Sequence, residues 1–264
     1  MGDLGRMNYD DHDLLRFCRA RKFVLHDIQE MWRKFIEWRQ RENVDNIIDT
    51  FDFNERWEIQ KYYPHCYHKT DKQGRPIYIE RIGQVDCTQL FEITNEDRLR
   101  LHFIQQYELL IRHRLPACSA KKGQKMQKSL TIIDFTDGGV TTANSQTRAL
   151  FKIAAQVGQD YYPETLGNLY VVNAPFLFSG IWSVAKGFLD EVTRKKIKII
   201  GWNYLPTLLE HVNEEDLPSF LGGKCTCSEF EGGCIRSYAG PWNDYVLTPE
   251  GIQPKNVVPI TYVE

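Results

Sequence analysis

The sequence has no long apolar run. Its most apolar stretch, Leu169 to Leu189, is broken by Asn173, Pro175, Ser179, Gly180 and Lys186. A spanning helix needs about 20 nearly unbroken apolar residues, so this chain is not expected to cross a membrane as a helix. Met1 to Asp13 are polar and acidic and lack the apolar centre of a signal peptide. Charge of one sign is also missing. A formal net charge of -2 at pH 7 offers no global field for nucleic acid. These absences describe a cytoplasmic protein that visits membrane surfaces without entering them.

Catalytic signatures are missing too. There is no G-x-x-x-x-G-K-[ST] loop: Gly222-Gly223-Lys224 lacks the upstream glycine and is followed by Cys225. No G-x-G-x-x-G follows a strand, and neither G-x-S-x-G nor H-E-x-x-H occurs. The seven histidines are scattered, and His65 with His68 is too thin a cluster for a metal. A Ser/His/Asp site assembled only in three dimensions stays open, but no spacing favours one. The expectation is a protein that is not an enzyme.

Cysteines number seven, an odd count. Cys18, Cys66, Cys87 and Cys118 stand alone, whereas Cys225, Cys227 and Cys234 have C-x-C-x6-C spacing. Three thiols are most of a zinc site. The spacing matches no standard knuckle, however, and no neighbouring fourth ligand stands beside them. They read as reduced structural thiols, with no metal and no cofactor expected.

What is present is a regular alternation. Asp10 and Asp11 precede Leu14, Leu15 and Phe17, a helix start. Ile28, Met31, Trp32 and Phe35 follow helical periodicity. Residues 10–43 thus form a small helical region, and Asn43 to Phe53 reads as a linker. Asp71-Lys72-Gln73-Gly74 is a turn between two extended runs, with a strand at Ile77 to Ile82. Leu99, Phe103, Tyr107, Leu110 and Ile111 share a helical face. Then Leu130–Phe135, Leu169–Val172 and Ile197–Ile200 read as strands, separated by helices at Ala149–Val157 and Ile181–Leu189. Such a rhythm gives parallel pairing with crossover helices, an α/β fold. Pro206–Val212 adds a helix, and the chain after Gly222 becomes rich in Gly, Cys, Ser and Pro. The divisions are a helical region at 1–53, a main domain at 54–224, and a tail at 225–264 packed on it.

One segment invites a functional reading. Phe176 and Phe178 lead into Ile181, Trp182, Ala185, Phe188 and Leu189, which form a helical stripe broken by Gly180 and Gly187. A core helix is the default for that pattern. The sharper alternative is a mobile lid that covers an apolar cavity. After it, Asp190 to Lys196 offers a capped helix start, a hydroxyl and lysines, a possible phosphate seat. A solvated charge run is the competing reading.

Several ordered motifs then resemble one family. Leu14-Leu15-Arg16-Phe17-Cys18-Arg19-Ala20-Arg21-Lys22-Phe23, Tyr67 to Asp71, Gly74 to Tyr78, Arg114 to Ser119, Tyr161-Tyr162-Pro163-Glu164, Val172 to Phe176, Phe188-Leu189-Asp190, Leu217 to Gly223 and Gly240-Pro241-Trp242 resemble CRAL-TRIO proteins across residues 10–245. Within that family they are similar to the phosphatidylinositol/phosphatidylcholine transfer proteins of fungal secretion. The tail, Cys225-Thr226-Cys227 with Gly232-Gly233-Cys234, is similar to their plant branch.

The resemblance implies a mixed sheet with crossover helices, a gate helix over an apolar pocket, and a small N-terminal helical region. Its phosphatidylinositol headgroup seat falls on Arg21, Lys22, Glu164, Thr193 and Lys196. Cations and a hydroxyl would donate to the phosphodiester, and the carboxylate would accept from inositol hydroxyls. Its phosphatidylcholine seat falls on Tyr67, Tyr78, Tyr107, Ser129 and Thr131. Tyrosine rings can hold a quaternary ammonium. The gate falls on Phe176 to Leu189. Thr165 and Glu191 depart from the residues common in the family, and the N-terminal region is shorter than the family's.

The implied function is binding and transfer of phosphatidylinositol and phosphatidylcholine between membranes, in support of phosphoinositide signalling and vesicle trafficking. The implied partners are one phospholipid ligand, a transient membrane surface and lipid kinases, with a monomeric chain peripheral at Golgi, endosomal or plasma membranes. The alternatives are a module for another apolar ligand, such as a sterol, tocopherol or retinoid, and a lipid hydrolase. Exposing a two-chain lipid to water costs on the order of 20 kcal/mol, at about 0.8 per methylene. The cavity must therefore supply affinity, and the headgroup contacts selectivity.

Overall fold

The computed structural model describes residues 9–138, 145–175, 182, 186–188, 191–248 and 251–255. Its first helix, α1 (Asp11–Ala20), is fixed by a reciprocal cap: the Asp10 carboxylate accepts from Asp13 N, and the Asp13 carboxylate accepts from Asp10 N. Phe17 of α1 packs against Trp32 and Phe35 of α2 (Leu25–Arg41), with ring centroids 4.9 Å apart in both pairs. The connection between the helices places Lys22 at φ 50 and Phe23 at φ 61. That left-handed conformation is uncommon for side-chain-bearing residues.

The segment expected to be a linker is packed structure. A 3-10 turn at Val44–Asn46 runs into α3 (Ile47–Thr50), and Val44, Ile47 and Phe53 are buried. Gln105 of α6 (Glu96–Leu109) donates to the carbonyls of Ile47 and Phe51. The apolar spacing won over the polar composition because α6 offers both a surface and a donor. Helices α4 (Arg56–Ile59) and α5 (Cys87–Ile93) complete this layer.

Five strands form one mixed sheet in sequence order: β1 (His65–Thr70), β2 (Pro76–Glu80), β3 (Ser129–Asp134), β4 (Leu166–Val172) and β5 (Ile197–Ile199). The β1–β2 pair is antiparallel, joined by the expected turn with Gly74 at φ 89. Strands β2 to β5 pair in parallel. The crossovers are α5, α6 and α7 (Leu115–Lys122) between β2 and β3, and α8 (Ser145–Tyr161) between β3 and β4. The short α9 (Glu191–Lys195) precedes β5. The α/β expectation is thus the observed architecture, with strand ends shifted by a residue or two. Ile82 is an example, because the chain turns at Ile82–Gln84, where a Cβ on Gly83 would lie 2.1 Å from Thr136 O.

The two sheet faces bury different partners. Cys66, Ile77, Ile79, Leu130, Ile132, Tyr170 and Val172 form the outer face, which packs against Leu208 of α10 (Leu205–His211) and against Leu217 and Leu221. The opposite face meets the helical layer, where Ile133, Leu169, Val171 and Ile197 join Phe103, Val157, Tyr162 and half-buried Trp182. The tail forms α11 (Gly233–Ser237) and an antiparallel hairpin, β6 (Tyr245–Thr248) with β7 (Gly251–Pro254).

Candidate functional site

Pairing register lines up one row of inner-face residues across the whole sheet. Tyr67 faces Tyr78, Tyr78 faces Thr131, Thr131 faces Leu169, and Leu169 faces Ile197. Alternation along β3 adds Ser129 to the same face. Of the five positions in the choline-lipid set, strand geometry therefore gathers Tyr67, Tyr78, Ser129 and Thr131. The fifth, Tyr107, arrives from α6.

Each of these side chains has a defined setting. The rings of Tyr67 and Tyr78 lie 4.9 Å apart. Tyr78 donates to Glu80 Oε1 at 2.9 Å, and Tyr63 donates to the same oxygen. Burial raises Glu80 above the usual carboxylate range, while its two tyrosine donors oppose that shift. The Tyr107 ring stacks on Tyr162 at 4.6 Å. Its hydroxyl occupies the space left by Gly158, where a Cβ would stand 2.5 Å away. The Ser129 hydroxyl donates to Thr165 O at 3.4 Å. Among the described residues, the Tyr67, Tyr107 and Thr131 hydroxyls have no hydrogen-bond partner. Burial pushes the Tyr67 phenol up to about 12, so it remains an O–H donor.

Sequence reasoning missed a cation beneath this row. A π-helical turn at Leu110–Arg114 follows α6 and brings the Arg114 guanidinium 4.1 Å from the Tyr67 ring centroid. Arg114 is buried and, among the described residues, donates to the Gln106 carbonyl and side chain. No carboxylate pairs with it among the described residues. Burial lowers it to about 10, so it keeps its charge at neutral pH. The available signal was its spacing of seven residues from Tyr107, two helical turns along one face.

The second set lies at the starting ends of the parallel strands. Lys128, Glu164 and Lys196 precede β3, β4 and β5. Parallel register therefore makes them neighbours, with adjacent strands about 4.8 Å apart. Lys196 Nζ donates to Glu164 Oε2 at 3.0 Å, and Lys128 Nζ lies 3.6 Å from that oxygen. Glu164 adopts φ 60, a costly conformation that sends its carboxylate toward both lysines. Lys128 was also missed; its signal was its place directly before Ser129. Thr193 sits one turn before Lys196, and its carbonyl accepts from Lys196 N at 3.0 Å. Lys22 is exposed and acts electrostatically on Glu191, two residues from Thr193. Arg21 is exposed, donates to Ala20 O at 3.3 Å, and is not joined to this set among the described residues.

Of the gate positions, Phe176, Phe178, Gly180, Ile181, Ala185 and Leu189 lie outside the described residues, as does Asp190. Lys186–Phe188 forms a 3-10 turn that includes Gly187, and Trp182 packs on the helical core. Two open clefts lie away from the row. One of about 490 Å³ borders Ile48, Phe51, Trp57 and Gln105, and another of about 200 Å³ borders Thr70, Lys72 and Lys122. Both are rimmed by polar groups and touch no member of either set. No described helix is long and apolar enough to cross a membrane.

Known proteins share this arrangement of sequence and fold. The family described as CRAL/TRIO domain matches residues 60–223. The chain is 45% identical over 235 residues to the Sec14 cytosolic factor of Schizosaccharomyces pombe, spanning 89% of this chain and 81% of that one. It is 43% identical to the SEC14 cytosolic factor of Kluyveromyces lactis, spanning 93% and 82%. It is 40% identical to the phosphatidylinositol/phosphatidylcholine transfer protein SFH7 of Arabidopsis thaliana, spanning 92% of this chain but 45% of that one. A solved structure titled "Crystal structure of Sfh5" superposes with a TM-score of 0.59 over 87% of this chain and 74% of that chain. At 20% identity, this last likeness concerns the fold alone.

Proposed function

Because this chain belongs to the CRAL/TRIO family, we propose that it binds one phospholipid at a time and transfers it between membranes, with phosphatidylinositol and phosphatidylcholine as its ligands. The observation that carries this reading is the inner-face row. Tyr67, Tyr78 and Thr131 are polar, Leu169 and Ile197 are apolar, and the hydroxyls of Tyr67 and Thr131 have no protein partner among the described residues. A ligand polar at one end and aliphatic at the other satisfies both halves. Buried Arg114 under the same row suits a phosphodiester. The plant relative's name, a phosphatidylinositol/phosphatidylcholine transfer protein, points to the same class of cargo.

The phosphatidylinositol headgroup would meet Lys196, Glu164 and Lys128 at the strand starts, with Thr193 and Lys22 nearby. The choline headgroup would meet Tyr67, Tyr78, Tyr107, Ser129 and Thr131. In this reading no covalent bond changes. The chain is a carrier that contacts a membrane surface transiently at Golgi, endosomal or plasma membranes, and presentation of phosphatidylinositol to a lipid kinase is an extension of the same act.

The test is to extract purified protein with organic solvent and identify the lipid by mass spectrometry, then follow labelled lipid between donor and acceptor vesicles. Co-purifying phospholipid with transfer of both classes is expected. A sterol, tocopherol or retinoid as the only extract, or release of fatty acid during transfer, overturns the proposal.

A further inference from the structure

The three clustered cysteines gain a fourth neighbour in the fold. His68 of β1 joins Cys225, Cys227 and Cys234, and the four potential ligand atoms all lie within 4.8 Å of one another. The sequence reading expected no fourth ligand because none is near in sequence. His68 belongs to a strand at the other end of the chain, and α11 brings Cys234 onto that strand. All four side chains are buried, His68 completely.

We propose that these residues form a structural Cys3His site for one zinc ion. Several independent observations converge on it. Cys225 Sγ and Cys227 Sγ are 3.6 Å apart. A tetrahedral ion with Zn–S bonds of about 2.3 Å sets its sulfurs about 3.8 Å apart. The imidazole is already poised: Nδ1 lies 3.4 Å from Ser237 Oγ, while buried Nε2 has no hydrogen-bond partner. Ser237 Oγ in turn donates to Cys234 O at 3.1 Å. With Nδ1–H donating to Ser237, the tautomer leaves the Nε2 lone pair free for a metal. This is the usual outer support of a metal-bound histidine.

The loop's own apolar cluster is the three cysteines with Phe220 and Ala239. Cys227 at φ 46, Gly232 at φ 87 and Gly233 at φ 57 wind the backbone tightly around that cluster. Of these only the Cys227 conformation is costly; it persists where surrounding contacts over-determine it, and four bonds to one ion would do so. One zinc ion held by three thiolates and a neutral imidazole gives a site of net charge -1. Lys69, next to His68 in β1, donates to Glu215 O at 3.0 Å and lies 3.2 Å from Asp216.

Consecutive residues of a strand face opposite ways, so His68 points away from the row that contains Tyr67. The site is therefore independent of which lipid is carried.

The experiment uses the full chain without a histidine tag, purified under reducing conditions without chelator. Plasma mass spectrometry should find about one zinc per chain, released when the thiols are blocked. Cobalt(II) loaded into the apoprotein should give tetrahedral visible bands with thiolate charge transfer. Cys225→Ser, Cys227→Ser, Cys234→Ser and His68→Gln should each lower zinc content several-fold, and Cys18→Ser should leave it unchanged. His68→Cys, which supplies a fourth thiolate, should keep the metal and separates ligation from mere folding. Wild-type protein without stoichiometric zinc after reconstitution, or cobalt with an octahedral spectrum, overturns the proposal. So does zinc retained by a variant lacking all three cysteines.

Discussion

His65 and His102 meet through their Nε2 atoms, 3.1 Å apart in the buried layer between β1 and α6. His65 Nδ1–H donates to Tyr63 O at 2.9 Å, so its Nε2 is the acceptor and His102 Nε2–H is the donor. His102 Nδ1 is then a bare acceptor, and it has no partner. A proton on either ring would set two N–H groups against each other or leave a buried charge unpaired. Burial holds His65 down to about 4 and His102 well below its ordinary value.

A pH dependence with a definite sign follows. The unfolded chain takes up protons on these rings near pH 6.5, and the folded chain resists them. The pair's contribution is therefore complete above about 6.5 and is lost as pH falls toward about 4. At about 1.4 kcal/mol per unit, the loss is a few kcal/mol. Urea unfolding at pH 7, 6, 5 and 4.5 measures it. His102→Gln keeps a donor toward His65 but cannot titrate, and it should flatten the slope. Equal slopes for variant and wild type would dismiss the pair as its source.

Selectivity should divide between the two sets of residues. Lys22→Ala combined with Lys196→Ala is expected to abolish phosphatidylinositol transfer and spare phosphatidylcholine transfer in a vesicle assay. Lys196 donates to Glu164, which removal of the lysine leaves with the more distant Lys128. Parallel loss of both activities would mean that one seat serves both lipids.

The converse concerns β3. Thr131→Phe or Ser129→Phe would fill the space beside Tyr78 and should lower choline-lipid transfer at least several-fold while leaving inositol-lipid transfer near wild type. Unchanged choline-lipid transfer would remove the row from the binding surface.

Gly158 offers a test of fit. Alanine in a helix is favoured over glycine by about 1 kcal/mol, but here its methyl would stand 2.5 Å from Tyr107 Oη. Overpacking of that kind costs about 1–3 kcal/mol, so Gly158→Ala should destabilise. With Tyr107→Phe, the nearest remaining atom is the ring carbon at 3.3 Å. The same alanine should then become neutral or stabilising. Thermal melts of the four-member cycle report the coupling, and additive effects would contradict the contact.

Beneath Tyr107, Tyr162 donates to Glu108 Oε1 at 2.7 Å, and Arg39 holds both oxygens of that carboxylate at 2.7 and 3.0 Å. Both members of the ion pair are buried. Glu108→Gln removes one of the two carboxylates that hold the buried Arg39 guanidinium, leaving Asp45, and should cost about 1–3 kcal/mol. A loss below 1 kcal/mol in denaturant titration would show that the site is wetter than its burial indicates.

Much of the fold was legible because strand and helix signals are local. Leu130–Phe135 and Ile197–Ile200 are short apolar runs between turn residues, and α10 starts at Leu205 with Pro206 near its N-terminus. The segment at 43–53 was misread because its asparagines and aspartates mask Val44, Ile47 and Phe53. The grouping of Lys128 with Glu164 and Lys196 depends on parallel register, which no local pattern encodes. His68 was illegible as a companion of the cysteines for the same reason: β1 and α11 meet only in three dimensions.

The three residues of β5 have a mechanical consequence. That strand is a border of the five-stranded sheet, with Ile199 42% exposed, and its bonds to β4 include Leu169 N to Lys196 O and Ile200 N to Val171 O. Peeling it would sacrifice a small part of the ladder and leave the interior of the sheet intact. Lys196 is the residue that leads into it, so any fraying at this border withdraws the ammonium from Glu164. If Lys196 holds an anionic headgroup as proposed, that contact stands on a border strand only three residues long, and loosening the strand would loosen the contact.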